Sequence, residues 1–525
     1  MSLPTAVRPG LAAFARPAPA TLAVFALWSV SLVAYAQGLT NSDVAWYLVA
    51  TDKWLAGARL YQDIIEINPP LIFALNVPPV ALARASGLPA ELLIVVYVHL
   101  LIALSLLTSA RVLAGWPRET RRLGPLVLLA GCTALCAFAI FDLGQREHLL
   151  TVFTLPYALL VISRAGGGAV PAGVAMGVGV LAALGFGLKP HFLAVPFLFE
   201  VYLLARARDW RRDWRVVFRP ESLGLAGALL LYAGAAVWLT PEYFSRILPF
   251  ALLVYGAYSQ SLIAVLLSWQ TLIVPALAIV HLLSRRHQAR PEIADVFLIA
   301  GAAYYAIYVV QLKSWTYHEV PAESFSFLAL FVLALADPLL KGAAGRRLVL
   351  GALAVAAMLA IPYQRGPFRF PAFPVLLPAV ETQAQTQARG TSIYVFSSYL
   401  WVSFPVVNRA GLAWPSRFPC LWLLPGTLLG LASPEAARDP ALRARYEDLK
   451  RYNLDAVVAD LRAGDPGLIM VDRRPDPRFK DLEFDYVDFF TQDPRFAAIW
   501  ANYRHVERVE GEGIGPYDLY VRATP

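Results

Sequence analysis

Charge is what this sequence has least of. Asp, Glu, Lys and Arg make up 16% of its 525 residues, against 58% hydrophobic ones, where a soluble domain carries about 25% charge. That balance excludes an ordinary soluble enzyme. Cysteine is nearly absent as well. Cys132 and Cys136 share one apolar stretch and Cys420 stands alone, so no disulfide framework holds the chain. The His residues are scattered without the spacing of a metal motif, and the glycines at 166–168 lack the Lys-Ser/Thr of a phosphate loop. A net charge of +8 would point to nucleic acid in a soluble protein. Here the basic residues sit in short loops between apolar runs, where they set membrane topology, and no nucleic-acid partner is expected.

Long hydrophobic runs are what the chain does have. A bilayer crossing takes about 20 apolar residues. The runs near 20–38, 90–113, 123–141, 149–163, 170–188, 191–205, 222–239, 263–283, 293–311, 324–340 and 347–361 predict an α-helical polytopic membrane protein with about 11 spans. The first run has no clean small-residue cleavage site and reads as a retained anchor. The segment 70–84, interrupted by Pro69, Pro70, Pro78 and Pro79, reads as a piece that dips without crossing. With a cytoplasmic N-terminus, the inner loops hold nineteen Lys and Arg. The outer loops hold seven: Lys53, Arg59, Arg84, Arg146, Lys189, Arg246 and Lys313. Basic residues favour the cytoplasmic side, so the odd span count places the tail outside the cytoplasm.

The tail has a different composition. Strand-like runs at 392–396, 467–472, 503–509 and 517–522, a helical stretch over 435–463 and a turn at Gly511-Glu512-Gly513 predict a C-terminal extracytoplasmic α/β domain over 390–525. A membrane module over 1–361 precedes it, with interfacial helices in the 39–89 loop, and 362–389 reads as a linker.

Polar residues collect on the outer side. Asp43 opens an amphipathic stretch, 43–57, whose Trp46, Val49, Ala50 and Trp54 fall on one face, as in a helix lying along the interface. A carboxylate held near hydrocarbon usually marks a site, although Asp43 or Ser42 as a plain helix cap explains the same pattern. Asp43 as general base, or as ligand to a divalent ion, is the functional reading. Glu66 follows before Asn68-Pro69-Pro70. The second outer loop packs Asp142, Arg146, Glu147 and His148 into seven residues, either as a surface ion-pair loop or as a phosphate-binding Arg with an acid/base or metal-binding partner. Lys189 and His191 flank Pro190, and Lys313, Tyr317 and His318 form a short aromatic, basic loop. A snorkelling Lys and an aromatic belt account for these as well as a headgroup site does.

An Asp just after the first span, an interfacial helix, Tyr61 with Asp63, and Pro69-Pro70-Leu71 together resemble the GT-C glycosyltransferases. The likeness is closest to the bacterial branch of aminoarabinose transferases and protein O-mannosyltransferase relatives. It covers about 20–340 in layout and 41–71 in motif. The resemblance implies a membrane enzyme of the bacterial inner membrane that takes a sugar from a polyprenyl-phosphate donor outside the cytoplasm. The acceptor it implies is a hydroxyl on a lipid, glycan or protein. It implies Asp43 as the catalytic base or metal ligand, with Asp142, Glu147 or Glu66 as a second acidic group. Arg146, His148, Lys189, His191, Lys313, Tyr317 and His318 would then hold donor phosphate or substrate, and a divalent metal ion is the one cofactor implied. A polysaccharide polymerase or ligase, a lipid-linked glycan transporter and a non-catalytic assembly factor whose C-terminal domain binds partners remain the competing readings.

Overall fold

The computed structural model describes residues 19–207, 217–336, 373–386, 392–511 and 514–523. Its helices of eight or more residues are α1 (Pro19–Ala36), α2 (Ser42–Leu55), α3 (Leu71–Ser86), α4 (Ala90–Ala114), α5 (Gly124–Ala137), α6 (Arg146–Ala165), α7 (Ala172–Phe186) and α8 (Ala194–Arg206). They continue as α9 (Pro220–Leu239), α10 (Gln270–Ser284), α11 (Pro291–Gln311), α12 (Val320–Ala336), α13 (Phe373–Thr386), α14 (Leu424–Leu431) and α15 (Pro440–Gly464). Ten of the eleven predicted spans fall on this helical framework. The eleventh, 347–361, lies outside the described residues, as does most of the predicted 511–513 turn. Among the described residues five helices, α1, α4, α6, α9 and α11, are long and apolar enough to cross a bilayer. The run 263–283 is two helices, Leu262–Leu266 and α10.

Apolar side chains cover the outside of this bundle. On α9, Leu230, Leu231, Trp238 and Leu239 are all exposed, a surface suited to a lipid environment. The protein is a multi-pass membrane protein. Two expectations change. The prolines at 78 and 79 sit inside α3 without ending it, because α3 is packed between α2 and α4. The described part of the 362–389 linker is the helix α13, whose Leu376 and Val380, four residues apart, share a buried face.

Helices α7 and α9 meet at glycines. A Cβ on Gly179 would stand 2.0 Å from the Glu221 carbonyl oxygen, and one on Gly224 would stand 2.5 Å from that of Met176. Small residues let membrane helices approach backbone to backbone. Gly179→Leu is therefore expected to force the pair apart at a cost of about 1–3 kcal/mol. Gly177→Leu, where a Cβ meets open space, is the matched control. Thermal unfolding in detergent reads the difference, and equal midpoints for the two variants would dismiss the contact.

The C-terminal sheet has the strand order β1-β2-β4-β3, with β1 (Ile393–Phe396), β2 (Leu468–Asp472), β3 (Tyr503–Gly511) and β4 (Ile514–Arg522). β1 and β2 pair in parallel, and β4 is antiparallel to both of its neighbours. The parallel pair requires a crossover, and α14 and α15 supply it. This part of the chain docks on the loop between α1 and α3. Ile65 N donates to Arg417 O (2.8 Å), Lys53 Nζ to Ser416 O (2.7 Å) and Asn408 Nδ2 to Ala45 O (3.1 Å). The loops carrying Asp43, Arg146 and Tyr317 thus share one side of the bundle with the sheet.

Candidate active site

A cavity of about 560 Å³ lies where the C-terminal part meets the helix bundle. Its floor carries Asp43, Glu66, Arg146 and Tyr317, and its upper wall carries Tyr399, Trp401, Arg478 and Lys480.

Helix α2 positions Asp43. The cap is neither Asp43 nor Ser42 but Asn41, whose Oδ1 accepts from the Asp43 N–H at 2.8 Å. Asp43 is freed from that duty and sits in the first turn, where the helix dipole favours a carboxylate. Gln145 Nε2 donates to its Oδ2. Asn41 Nδ2 in turn donates to Asp142 Oδ1 at 2.9 Å, so Asp142 fixes the cap from behind and is fully buried. Protein covers part of the apolar face that the pattern assigned to the interface. Trp46 is completely buried, donates to Glu66 Oε2 at 2.6 Å and packs on Phe404 at 5.6 Å between ring centroids. Phe404 of the docked C-terminal chain thus covers Trp46 on that face.

Glu66 is buried and accepts from Trp46, from the Asn68 N–H (3.1 Å) and from Asn68 Nδ2 (2.7 Å). Burial pushes its carboxyl above the ordinary range, with Arg146 and these donors pulling the other way. The second outer loop is no surface ion-pair loop. Asp142, Gln145, Arg146, Glu147 and His148 are all buried. Gly144, at φ +80° in a fold that favours glycine, turns the chain into α6, and Gln145 caps that helix by accepting from Arg146 N at 3.0 Å. Arg146 lies 5.8 Å from the Tyr47 ring centroid and reaches the cavity.

The other predicted residues do not line it. His148 spends both ring nitrogens on backbone, at 2.8 Å from Leu135 O and 3.2 Å from Gly144 N. It holds the loop and does not line the cavity. Glu147 pairs with Lys189 at 2.5 Å, and His318 Nε2 lies 3.3 Å from that Lys and 3.4 Å from that Glu. These three form a buried cluster behind Arg146. His191 points outward against Phe192. Lys313 stays behind the wall and donates to Tyr255 O at 2.8 Å.

Burial pushes Lys313 down to about 8 from an ordinary value near 10.5. The unfolded chain therefore holds more protons than the native one between pH 8 and about 10.5. The Lys313 contribution to stability is expected to rise across that window and to be unfavourable below it. The wild-type minus Lys313→Met difference in unfolding midpoint, followed from pH 7 to 10.5, reads this directly, and a flat difference would refute it.

The donor set does not suit the divalent ion that the resemblance implied. Among the described residues no three His, Cys, Asp or Glu side chains converge, and both Glu66 oxygens already accept hydrogen bonds. No step below runs through a metal. Sequence reasoning missed Gln145, Tyr399, Trp401, Arg478 and Lys480. One signal for the last group was present: Asp472-Arg473-Arg474 and Asp476-Pro477-Arg478 lie at and just beyond the end of a predicted strand.

No protein-family model matches the chain, and no curated protein matches it. Solved structures do. ArnT from Cupriavidus metallidurans, bound to undecaprenyl phosphate, aligns over 95% of this chain and 97% of its own, at TM-score 0.51 and 14% identity. Its apo state gives TM-score 0.52 over the same shares and at the same identity. The chain shares the fold of ArnT. Within this fold, the described loops of the chain gather acid, cation and aromatic groups at one cavity on one side of the bundle.

Proposed function

We propose that this protein is a membrane glycosyltransferase that moves a sugar from a polyprenyl-phosphate donor to an acceptor hydroxyl on the extracytoplasmic side. The observation that carries this reading is the pairing of Asp43 with Arg146 in one cavity of a GT-C fold. The Lys and Arg bias of the loops supports the sidedness. The binding of undecaprenyl phosphate by ArnT, a protein of the same fold, supports the donor class. The collection of polar groups on one side, rather than along the middle of the helices, favours transfer over transport.

Asp43 acts as general base. It takes the proton of the acceptor hydroxyl, whose oxygen bonds to the anomeric carbon of the donor sugar from the face opposite the phosphate. The bond from the anomeric carbon to the phosphate oxygen breaks, and polyprenyl phosphate leaves with the electron pair. Configuration inverts. Arg146, fixed before substrate arrives, meets the charge that develops on the leaving phosphate. Gln145 keeps the carboxylate aimed by donating to one oxygen, and Tyr317 completes the floor.

Cryo-EM of the protein in nanodiscs containing undecaprenyl phosphate tests the reading. Phosphate density against Arg146, with the lipid chain running toward the bundle, is the expected result. A lipid excluded from the cavity at saturating content would overturn it.

A further inference from the structure

The carboxyl ends of the parallel strands β1 and β2 open onto the cavity, and the residues that follow them form its upper wall. Ligands of open α/β sheets lie outside the carboxyl ends of the strands. Ser398, Tyr399 and Trp401 follow β1, and Arg478 and Lys480 follow β2.

Two Asp-x-Arg steps, four residues apart, build this wall. Asp472 accepts from the Ser397 hydroxyl (2.8 Å) and from Arg474 Nε (2.8 Å). Asp476 accepts from the Ser398 hydroxyl and from Arg478 Nε (2.8 Å). Each carboxylate therefore ties the end of one strand to an arginine beyond the other. Arg474 is held over Trp401, 4.4 Å from the ring centroid. Arg478 is held over Tyr399 at 3.3 Å and donates Nη1 to Ser398 O at 2.7 Å. Its remaining amino group, Nη2, is buried with no hydrogen-bond partner, although a guanidinium offers five donors in a fixed fork. Buried polar groups are nearly always satisfied, so the open donor calls for an acceptor. Lys480, two residues on, is exposed on the same wall and adopts φ +53°, an unusual backbone for a side chain larger than glycine. A structural role for Arg478 accounts for Nε and Nη1. It does not account for Nη2, nor for a strained lysine facing the cavity.

We infer that Arg478 and Lys480 form an anion subsite, contributed by the C-terminal domain, that binds a phosphate group of a substrate. Planar forks and ammonium groups both suit phosphate oxygens. The subsite stands across the cavity from the Arg146 floor. The inference rests on the transfer reading for its biological meaning, and the phosphate belongs either to the lipid-linked donor or to the acceptor.

Full-length protein in nanodiscs is titrated with two probes, undecaprenyl phosphate in the bilayer and inorganic phosphate in solution. Arg478→Gln and Lys480→Gln are each expected to weaken binding of at least one probe by about tenfold or more. A loss for undecaprenyl phosphate assigns the subsite to the donor. A loss for inorganic phosphate alone assigns it to an anionic acceptor. Unchanged affinity for both probes in both variants overturns the inference. Should Arg478→Gln fail to fold, the exposed Lys480→Gln decides by the same criteria. A wild-type protein that binds inorganic phosphate through these residues but never undecaprenyl phosphate would count against the donor class proposed above while leaving the subsite standing.

Discussion

Asp43→Asn is expected to abolish transfer almost completely, by about 10²–10⁴-fold in rate, the usual worth of one general base. The protein should remain folded, because Asn41, not Asp43, caps α2. The substitution leaves both the cap and its 2.9 Å bond to Asp142 in place. Asn keeps the shape of the side chain and the oxygen that accepts from Gln145, but it cannot take a proton. Rate measurements with a polyprenyl-phosphate sugar at saturating donor, alongside the unfolding midpoint, check both halves. Full activity in a well-folded Asp43→Asn protein would remove Asp43 from the mechanism. Loss of folding would instead make it a structural carboxylate. Gln145→Ala should show a milder version of the same effect, since it releases the carboxylate without changing its chemistry.

Arg146→Met carries the second largest expected effect. Removing one preorganised group that stabilises developing charge typically costs about 10²–10³ in rate, and the same loss is expected here. The buried neighbours tolerate the change, because Glu147 keeps Lys189 at 2.5 Å and is not left as an unpaired charge. Arg146→Lys should recover part of the rate, since it restores the charge without the planar fork. Single-turnover rates at saturating donor separate this from weakened binding. If Arg146→Met changed only donor affinity, Arg146 would be a ground-state anchor and the leaving group would need another partner.

Much of the fold was legible because the two signals that carry it are local. Runs of apolar residues near bilayer length placed ten helical regions. Strand-like segments at 392–396, 467–472, 503–509 and 517–522 fell on the four strands of the sheet. The cap of α2 was misplaced by one or two residues because Asn41, Ser42 and Asp43 all suit the position. Only backbone geometry separates them. The 43–57 stretch shows what an amphipathic pattern leaves open, since an apolar face says that something covers it and not what, and Trp46 on that face packs on Phe404.

Asp43, Glu66, Arg146 and Tyr317 were legible as polar groups stranded beside apolar spans, and they meet at the cavity. His148, Lys189, His191, Lys313 and His318 carried the same signature, yet they pair with backbone, with Glu147 or with solvent. Burial beside a span costs the same free energy whether a substrate or a neighbouring side chain satisfies the group, so sequence has no means of telling them apart.

The sequence by itself determined that the chain lives in a bilayer and that strand-forming segments follow its apolar runs. These follow from composition and short-range periodicity, which act on each segment separately. Only the tertiary structure decided which polar groups face one another. Arg478 stands more than four hundred residues from Asp43, and the cavity joins them because the crossover sheet docks on the loop after the first span. Such long-range contacts depend on packing between distant surfaces, and no local pattern encodes them.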